Sequence, residues 1–465
     1  MKYMDNKLLL IFLVFLLMPM NTFMIIPANK LQSISNDNEE FNSKHSNEAR
    51  WTVMMYLAYD NHQSKNKNHI FKALTNTGST NDINIIALYD GNNKDDTCYY
   101  YARKNKLEPL LWDELESNLA DKDTLQKFIS LTIQEYPAQH YAFFIQSTHG
   151  SGWQGLGCDM DGELSLRKIS FLSLLDYSDS LKNVTNNGIN KIDIMGFEIC
   201  VTGSLEAAYQ IAPYVHYMIS NQEHSFNNDS LFKGIDTEWN FTTTLDIVAN
   251  NPMISPEHYS KEIVESFKPK TLSSKIFFKF KAPNWYPIVV YKTDLSASNL
   301  SSIQNLIDNI RNLSDFLINN MNQCRDDIKK ARLDTREYGK QYNKLWWLSF
   351  YTLYLQIDQL GYDCFIDLYD FAEKLNNITD SEQLSIICTK IMNNINNLIM
   401  ITNCVTDDST HGFSIYFPEL KCQYDQFIWR TPINSKFKIN PIPYCSICFS
   451  KATNWNILLE KYLNI

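Results

Sequence analysis

Two stretches decide how this chain is read: Ile192-Asp-Ile-Met-Gly-Phe197, followed by Glu198, Ile199 and Cys200, and Tyr141-Ala-Phe-Phe-Ile-Gln-Ser147, followed by Thr148, His149 and Gly150. Each is an apolar run that reads as a buried strand. In a parallel sheet, ligands and chemistry gather at the carboxyl ends of the strands. Side by side, these two strands would bring an imidazole and a thiol to one edge. A thiol must lose its proton before it attacks a carbonyl, and a neighbouring histidine can take it.

Working outward, Thr52-Val-Met-Met-Tyr-Leu-Ala-Tyr59 and Ile83-Asn-Ile-Ile-Ala-Leu-Tyr89 are two more near-continuous apolar runs, each ending in an aspartate, Asp60 and Asp90. Between strands the period changes to that of a helix. Asp123 is placed to cap a helix whose stripe is Leu125, Phe128, Ile129, Thr132, Ile133 and Tyr136. Ile169, Leu172, Leu175 and Leu181 repeat that spacing, and Gly203–Ile211 follows Cys200 as a short helix. Val215–Ser220 reads as a further strand. Strands alternating with helices predict an α/β layered sheet, mostly parallel and flanked by helices. From about residue 285 the chain is helix-rich, with long periodic stretches over Ile303–Asn320 and Trp346–Leu375, before a strand at Phe413–Phe417. The expected division is therefore 51–284 for the sheet and 285–465 for a helix-rich region packing on it.

The chain has 465 residues, of which 44% are apolar, enough for one large core or two moderate ones. Its 42 basic and 52 acidic residues give a formal charge of −10 without a long run of one sign, which excludes the basic footprint of a nucleic-acid binder. Lys2 and Lys7 precede an apolar stretch from Leu8 to Met20 that continues weakly to Ile26. Residues 1–26 thus read as a secretory signal or, if uncleaved, an N-terminal membrane anchor, which is the membrane contact expected. Residues 27–50 read as a polar linker or pro-segment. The remainder is expected outside the cytoplasm, secreted or at the cell surface, as a monomer.

Ten cysteines in an exported chain invite disulfides, but they are too scattered for a small stapled scaffold. Cys445-Ser-Ile-Cys448 is the close pair. It reads first as a local disulfide or two buried thiols. A thiol oxidoreductase is the weaker alternative, because the motif follows Pro-Ile-Pro-Tyr rather than opening a helix. No second pair completes a metal set, and no metal site is assigned.

Cys200 is read at the point where a strand gives way to a helix, so that helix amides would lie near its sulfur and favour thiolate. Gly150 leaves its N–H open, and with the N–H of Cys200 it could form an oxyanion hole. His149 would serve as general base or as proton donor to the leaving amine. On these features alone a buried packing cysteine is the competing reading.

Four segments resemble the clostripain family of cysteine peptidases, within the wider group of caspases, gingipains and legumain. They are Trp51-Thr-Val-Met-Met-Tyr56 with Asp60-Asn61; His149-Gly-Ser-Gly-Trp153 with Asp159 to Gly162; Ile194-Met-Gly-Phe-Glu-Ile-Cys-Val-Thr-Gly-Ser-Leu-Glu-Ala-Ala-Tyr209; and His411-Gly-Phe-Ser-Ile-Tyr-Phe-Pro418. The resemblance implies a caspase-like sheet, a His149–Cys200 dyad and protein or peptide substrates. Glu198 stands where the family has an aspartate that lines the pocket for a basic side chain, so cleavage after Arg or Lys is expected. Legumain-like relatives carry Glu at this offset without that preference, which leaves non-basic specificity as the alternative. Asn221 and Gln222 replace the first acid of a Ser-Glu-Glu type run, and Asp229 is a candidate second acid for the pocket. Family members process themselves between His and Cys, which makes Arg167 and Lys168 the candidate cleavage site. No cofactor is required on this reading; calcium enters only through the family, in which calcium activation occurs. A catalytically inactive relative retaining the scaffold is the other class of function.

Overall fold

The computed structural model describes residues 48–61, 64, 67–147, 152–159, 170–223, 239–273, 290–338, 364–406, 409–424 and 442–465. In chain order the strands are β1 Ala49–Ala58, β2 Ile83–Asp90, β3 Cys98–Arg103, β4 Lys106–Pro109, β5 Ala138–Gln146, β6 Leu156–Asp159, β7 Ser170–Leu172 and β8 Ile192–Glu198. They continue with β9 Val215–Ser220, β10 Thr271–Ser273, β11 Val290–Lys292, β12 Asp294–Asn299, β13 Glu337–Tyr338, β14 Phe365–Asp367, β15 Ile399–Cys404 and β16 Ser414–Tyr416. The helices are α1 Lys67–Thr77, α2 Lys122–Glu135, α3 Leu174–Val184, α4 Leu205–Ile211, α5 Phe241–Asn250 and α6 Pro256–Ser266. After them come α7 Ile303–Asn319, α8 Met321–Asp334, α9 Leu368–Ile378, α10 Glu382–Leu398, α11 Cys448–Thr453 and α12 Trp455–Leu463.

Nine strands form one sheet in the order β15-β12-β9-β8-β5-β1-β2-β3-β4. The five central strands, β9, β8, β5, β1 and β2, run parallel, and antiparallel pairs close both ends. The central strands are the continuous apolar runs because both faces are covered. Along β1, Met54, Tyr56 and Ala58 enter one core while Val53, Met55 and Leu57 enter the other. The first core is completed by α2, α3, α4 and the C-terminal helices, and the second by α1, α5 and α6. Helix α7 shows why its stretch was readable: Ile303, Leu306, Ile307, Ile310, Leu313 and Leu317 are all buried at helical spacing.

Several boundaries differ from expectation. The first described strand begins at Ala49 rather than Trp51, because the N–H of Ala49 and Arg50 already bond Pro137 and Asp82. Asp121, not Asp123, caps α2 by accepting the Asp123 N–H at 2.7 Å. Leu172 ends β7, and α3 starts after a Ser173 capping box. Of Trp346–Leu375, residues 346–363 lie outside the described residues; among the described ones, 365–367 are a strand and a helix starts at Leu368, capped by Asp367. Residues from 285 onward are not simply packed on the sheet. They supply β12 and β15 to it, and Ala49–Ile465 forms one compact unit. No disulfide joins the cysteines whose side chains are described, Cys445 and Cys448 are exposed, and Cys448 does open a short helix, α11.

Gly196, in the middle of β8, is required by close packing. A Cβ there would lie 2.5 Å from Phe144 Cδ1 and 2.8 Å from Trp239 Cη2. Gly196→Ala should therefore lower stability by about 1–3 kcal/mol in chemical denaturation, through displacement of these rings; an unchanged midpoint would contradict this account of the contact.

Candidate active site

The parallel neighbours β5 and β8 pair Ala142 with Ile194 and, at their last residues, Gln146 with Glu198. Both chains therefore leave the sheet at the same level on its carboxyl edge, on strands about 4.8 Å apart. Cys200 lies two residues beyond Glu198. His149 and Gly150 lie outside the described residues, three and four positions beyond Gln146, as do Asp229, Arg167 and Lys168. Gln146 is itself fixed, since its buried side chain accepts a hydrogen bond from the Tyr59 hydroxyl at the end of β1.

Cys200 is half-buried against the larger core. The expected setting, with a helix beginning directly behind the sulfur, is not what the chain adopts. Helix α4 starts at Leu205, capped by Ser204, and its first-turn amides belong to residues well past the cysteine. In its place is a tight turn in which Val201 adopts φ 55°. A β-branched residue in the left-handed region is strained by about 1–3 kcal/mol and persists only where its surroundings over-determine it. Here the surroundings are the end of β9 and the residues after it: Val201 N–H donates to Glu223 O at 3.3 Å and Gly203 N–H to Asn221 O at 2.8 Å. Gly203 has no alternative, because a Cβ would sit 2.9 Å from the Asn221 carbonyl carbon. On its other side, Gly203 O accepts the Ser414 N–H at 2.8 Å.

Glu198 is buried, and one carboxylate oxygen accepts the backbone N–H of Trp239 at 3.0 Å. Glu206, in the first turn of α4, is also buried. It accepts the Tyr416 N–H at 2.9 Å and the Tyr444 hydroxyl at 2.7 Å, joining the helix behind the Cys200–Gly203 turn to the C-terminal segments. Burial pushes its carboxyl up to about 7, against the pull of those two bonds.

Sequence reasoning singled out Gln222 but missed the polar groups that hold it and its neighbours beside this turn: Asp294, Asp367, Tyr338 and Arg336. They come from three separated segments, so no spacing announces them. A second acidic group lies at the ends of β1 and β2. Asp60, Asp90 and Glu116 bring one carboxylate oxygen each within 4.8 Å of one another, an all-oxygen donor set of the kind that hard divalent cations take.

Comparison with known proteins supplies the class and then the family. A secreted C11 cysteine protease from Bacteroides thetaiotaomicron, solved with an irreversible peptide inhibitor, superposes with a TM-score of 0.56 at 15% identity, covering 88% of this chain and 99% of that one. An inactive zymogen of a C11 protease from Parabacteroides distasonis superposes equally well, with a TM-score of 0.56 at 15% identity. These likenesses show the fold, a caspase-like sheet flanked by helices. Clostripain from Hathewaya histolytica is 22% identical over 490 aligned positions, 89% of this chain and 87% of clostripain. The profile of the clostripain family matches residues 55–462. The chain belongs to the clostripain family and is a cysteine-type peptidase.

Glu206 gives this edge a pH dependence. A folded-state pKa near 7, above the ordinary carboxylate value of 4.5, means that the folded chain holds this proton more tightly. The stabilisation is complete below that ordinary value and is lost as pH rises through about 7. Thermal unfolding followed from about pH 5 to 8 should show a fall in Tm that Glu206→Gln flattens; equal slopes in both proteins would contradict the assignment.

Proposed function

We propose that the protein is an exported cysteine endopeptidase, active as a monomer, that cleaves protein or peptide chains after Arg or Lys by a Cys200–His149 dyad. The observation that carries this reading is the in-register pairing of Gln146 with Glu198, which starts the His149 and Cys200 segments from adjacent positions on one edge. The Cys200 thiolate attacks the scissile carbonyl, and the N–H groups of Cys200 and Gly150 receive the oxyanion. His149 delivers the thiol proton to the leaving amine. Water, deprotonated by His149, then attacks the thioester carbonyl and releases the acid and the thiol. The leader over residues 1–26 accounts for export. One solved relative is described as secreted, and none of the described helices is long and apolar enough to cross a membrane.

This chemistry draws on no metal. For a calcium ion of the kind the family admits, Asp60, Asp90 and Glu116 are, among the described residues, a set that fits. They offer hard oxygen donors, and the Tyr59–Gln146 hydrogen bond ties their strand ends to the His149 segment. The ion would fix those strand ends in place.

Purified full-length protein carrying Cys200→Ala or His149→Ala should lose turnover of a peptide library while keeping its melting temperature, since both positions lie beyond strand ends. Near-normal hydrolysis by Cys200→Ala would remove the nucleophile assignment. Specificity rests on Glu198 with Asp229. A carboxylate in a desolvated pocket attracts a guanidinium by charge-assisted bonds, and leaving it unpaired costs on the order of a few kcal/mol, or roughly a hundredfold in rate. Glu198→Gln should lower kcat/KM for Arg substrates by about that factor. Because Glu198 is buried and already accepts the Trp239 N–H, a second outcome carries weight. Wild-type preference for Asn, Asp or an apolar residue before the scissile bond would make Glu198 a loop-orienting group and leave the peptidase assignment standing.

A further inference from the structure

The strained turn at Val201 is not held by its own helix. Its amide partners, the carbonyls of Asn221 and Glu223, belong to a three-residue stretch that is itself clamped by buried carboxylates. Asp294, at the start of β12, accepts the N–H of Gln222 at 2.9 Å through one oxygen and the N–H of Glu223 at 2.9 Å through the other. The fully buried Gln222 side chain accepts the Gly412 N–H at 2.6 Å and donates to Asp367 at 3.1 Å. Arg336 reaches the Glu223 carboxylate at 3.1 Å.

Asp367, fully buried at the end of β14, is where these contacts converge. Besides Gln222, its two oxygens accept the Tyr338 hydroxyl at 2.9 Å, the Asp370 N–H at 2.9 Å, the His411 N–H at 2.8 Å and His411 Nδ1 at 3.0 Å. The His411 ring stacks on Tyr369, with centroids 4.3 Å apart, and its side chain is one-third exposed. Two side-chain oxygens thus tie together β13, β14, the first turn of α9, the 409–413 segment and the end of β9.

We infer that Asp367, with Gln222 and His411, positions the Cys200 nucleophile: the hub holds Asn221–Glu223 in place, and those carbonyls hold the Val201–Gly203 turn that aims the Cys200 N–H at the oxyanion. The inference rests on the peptidase reading. It assigns to the C-terminal half of the chain a part in catalysis without contact with substrate.

Two chemistries at the same sulfur separate positioning from simple support. Peptide hydrolysis develops an oxyanion that needs the aimed amides. Alkylation by iodoacetamide does not: the thiolate displaces iodide at a saturated carbon, forming a C–S bond and releasing iodide. In full-length Asp367→Asn and in the milder His411→Gln, kcat for a peptide substrate should fall about 10- to 100-fold, with KM and the rate of Cys200 alkylation within about threefold of wild type. His411 is partly exposed, so its variant keeps the experiment interpretable if Asp367→Asn fails to fold. Unchanged kcat in both variants, or turnover and alkylation falling together, would overturn the inference. Wild-type protein that neither turns over peptides nor alkylates at Cys200 would instead remove the peptidase reading itself.

Discussion

The constraint on which the rest depends is the parallel pairing of β5 with β8 in a register that ends both strands together. Five residues of β5, from Ala142 to Gln146, face five of β8, from Ile194 to Glu198. Phe143, Ile145, Met195 and Phe197 enter one core from these strands, and Ala142, Phe144 and Ile194 enter the other. A slip by one residue would exchange the two sets and drive Phe144 toward the space built for Phe143 and Ile145, so packing fixes the register strongly. The chain then leaves the sheet edge at two adjacent positions, at Gln146 toward His149 and at Glu198 toward Cys200.

At that edge, order in irregular backbone is maintained by carboxylates placed at strand ends. Glu198 holds the N–H of Trp239, Asp294 holds those of Gln222 and Glu223, and Asp367 holds those of Asp370 and His411. Each is buried, and each satisfies amides that have no strand or intrahelical partner, including that of Asp370 in the first turn of α9. Charge-assisted bonds of this kind are short and directional, which suits them to fixing loops where a ladder has ended. The strained Val201 turn depends on the same device, because one carbonyl that holds it belongs to the clamped Glu223 and the other to Asn221, next to the clamped Gln222.

What could be read from sequence follows from the same physics. Strands covered on both faces must be apolar throughout, so β1, β2, β5, β8 and β9 stand out, and α7 declares itself by its stripe. β12 lacks that mark although it is paired on both sides, with β9 and β15. It is Asp-Leu-Ser-Ala-Ser-Asn, where only Leu295 and Ala297 alternate into a core and the residues between them are small and polar, so its short run is easily taken for a loop. Phe365–Asp367 was hidden for another reason: its apolar residues continue the spacing of α9, and the change from strand to helix is marked only by Asp367 as a cap. At the candidate site, the end of β8 at Glu198 and the position of Cys200 two residues beyond it were legible, whereas the Asp367 hub assembles residues 145 positions apart in the chain, as from Gln222 to Asp367. Local patterns hold no trace of such a contact.

The central claim is that Cys200 is the nucleophile of a peptidase whose proton carrier is His149. The most direct measurement treats the full chain with a peptidyl acyloxymethyl ketone ending in Arg or Lys and maps the adduct by mass spectrometry. The account predicts one adduct per chain, on Cys200, and its loss in His149→Ala. An adduct on Cys158 or another thiol, or labelling of Cys200 that does not need His149, would contradict it.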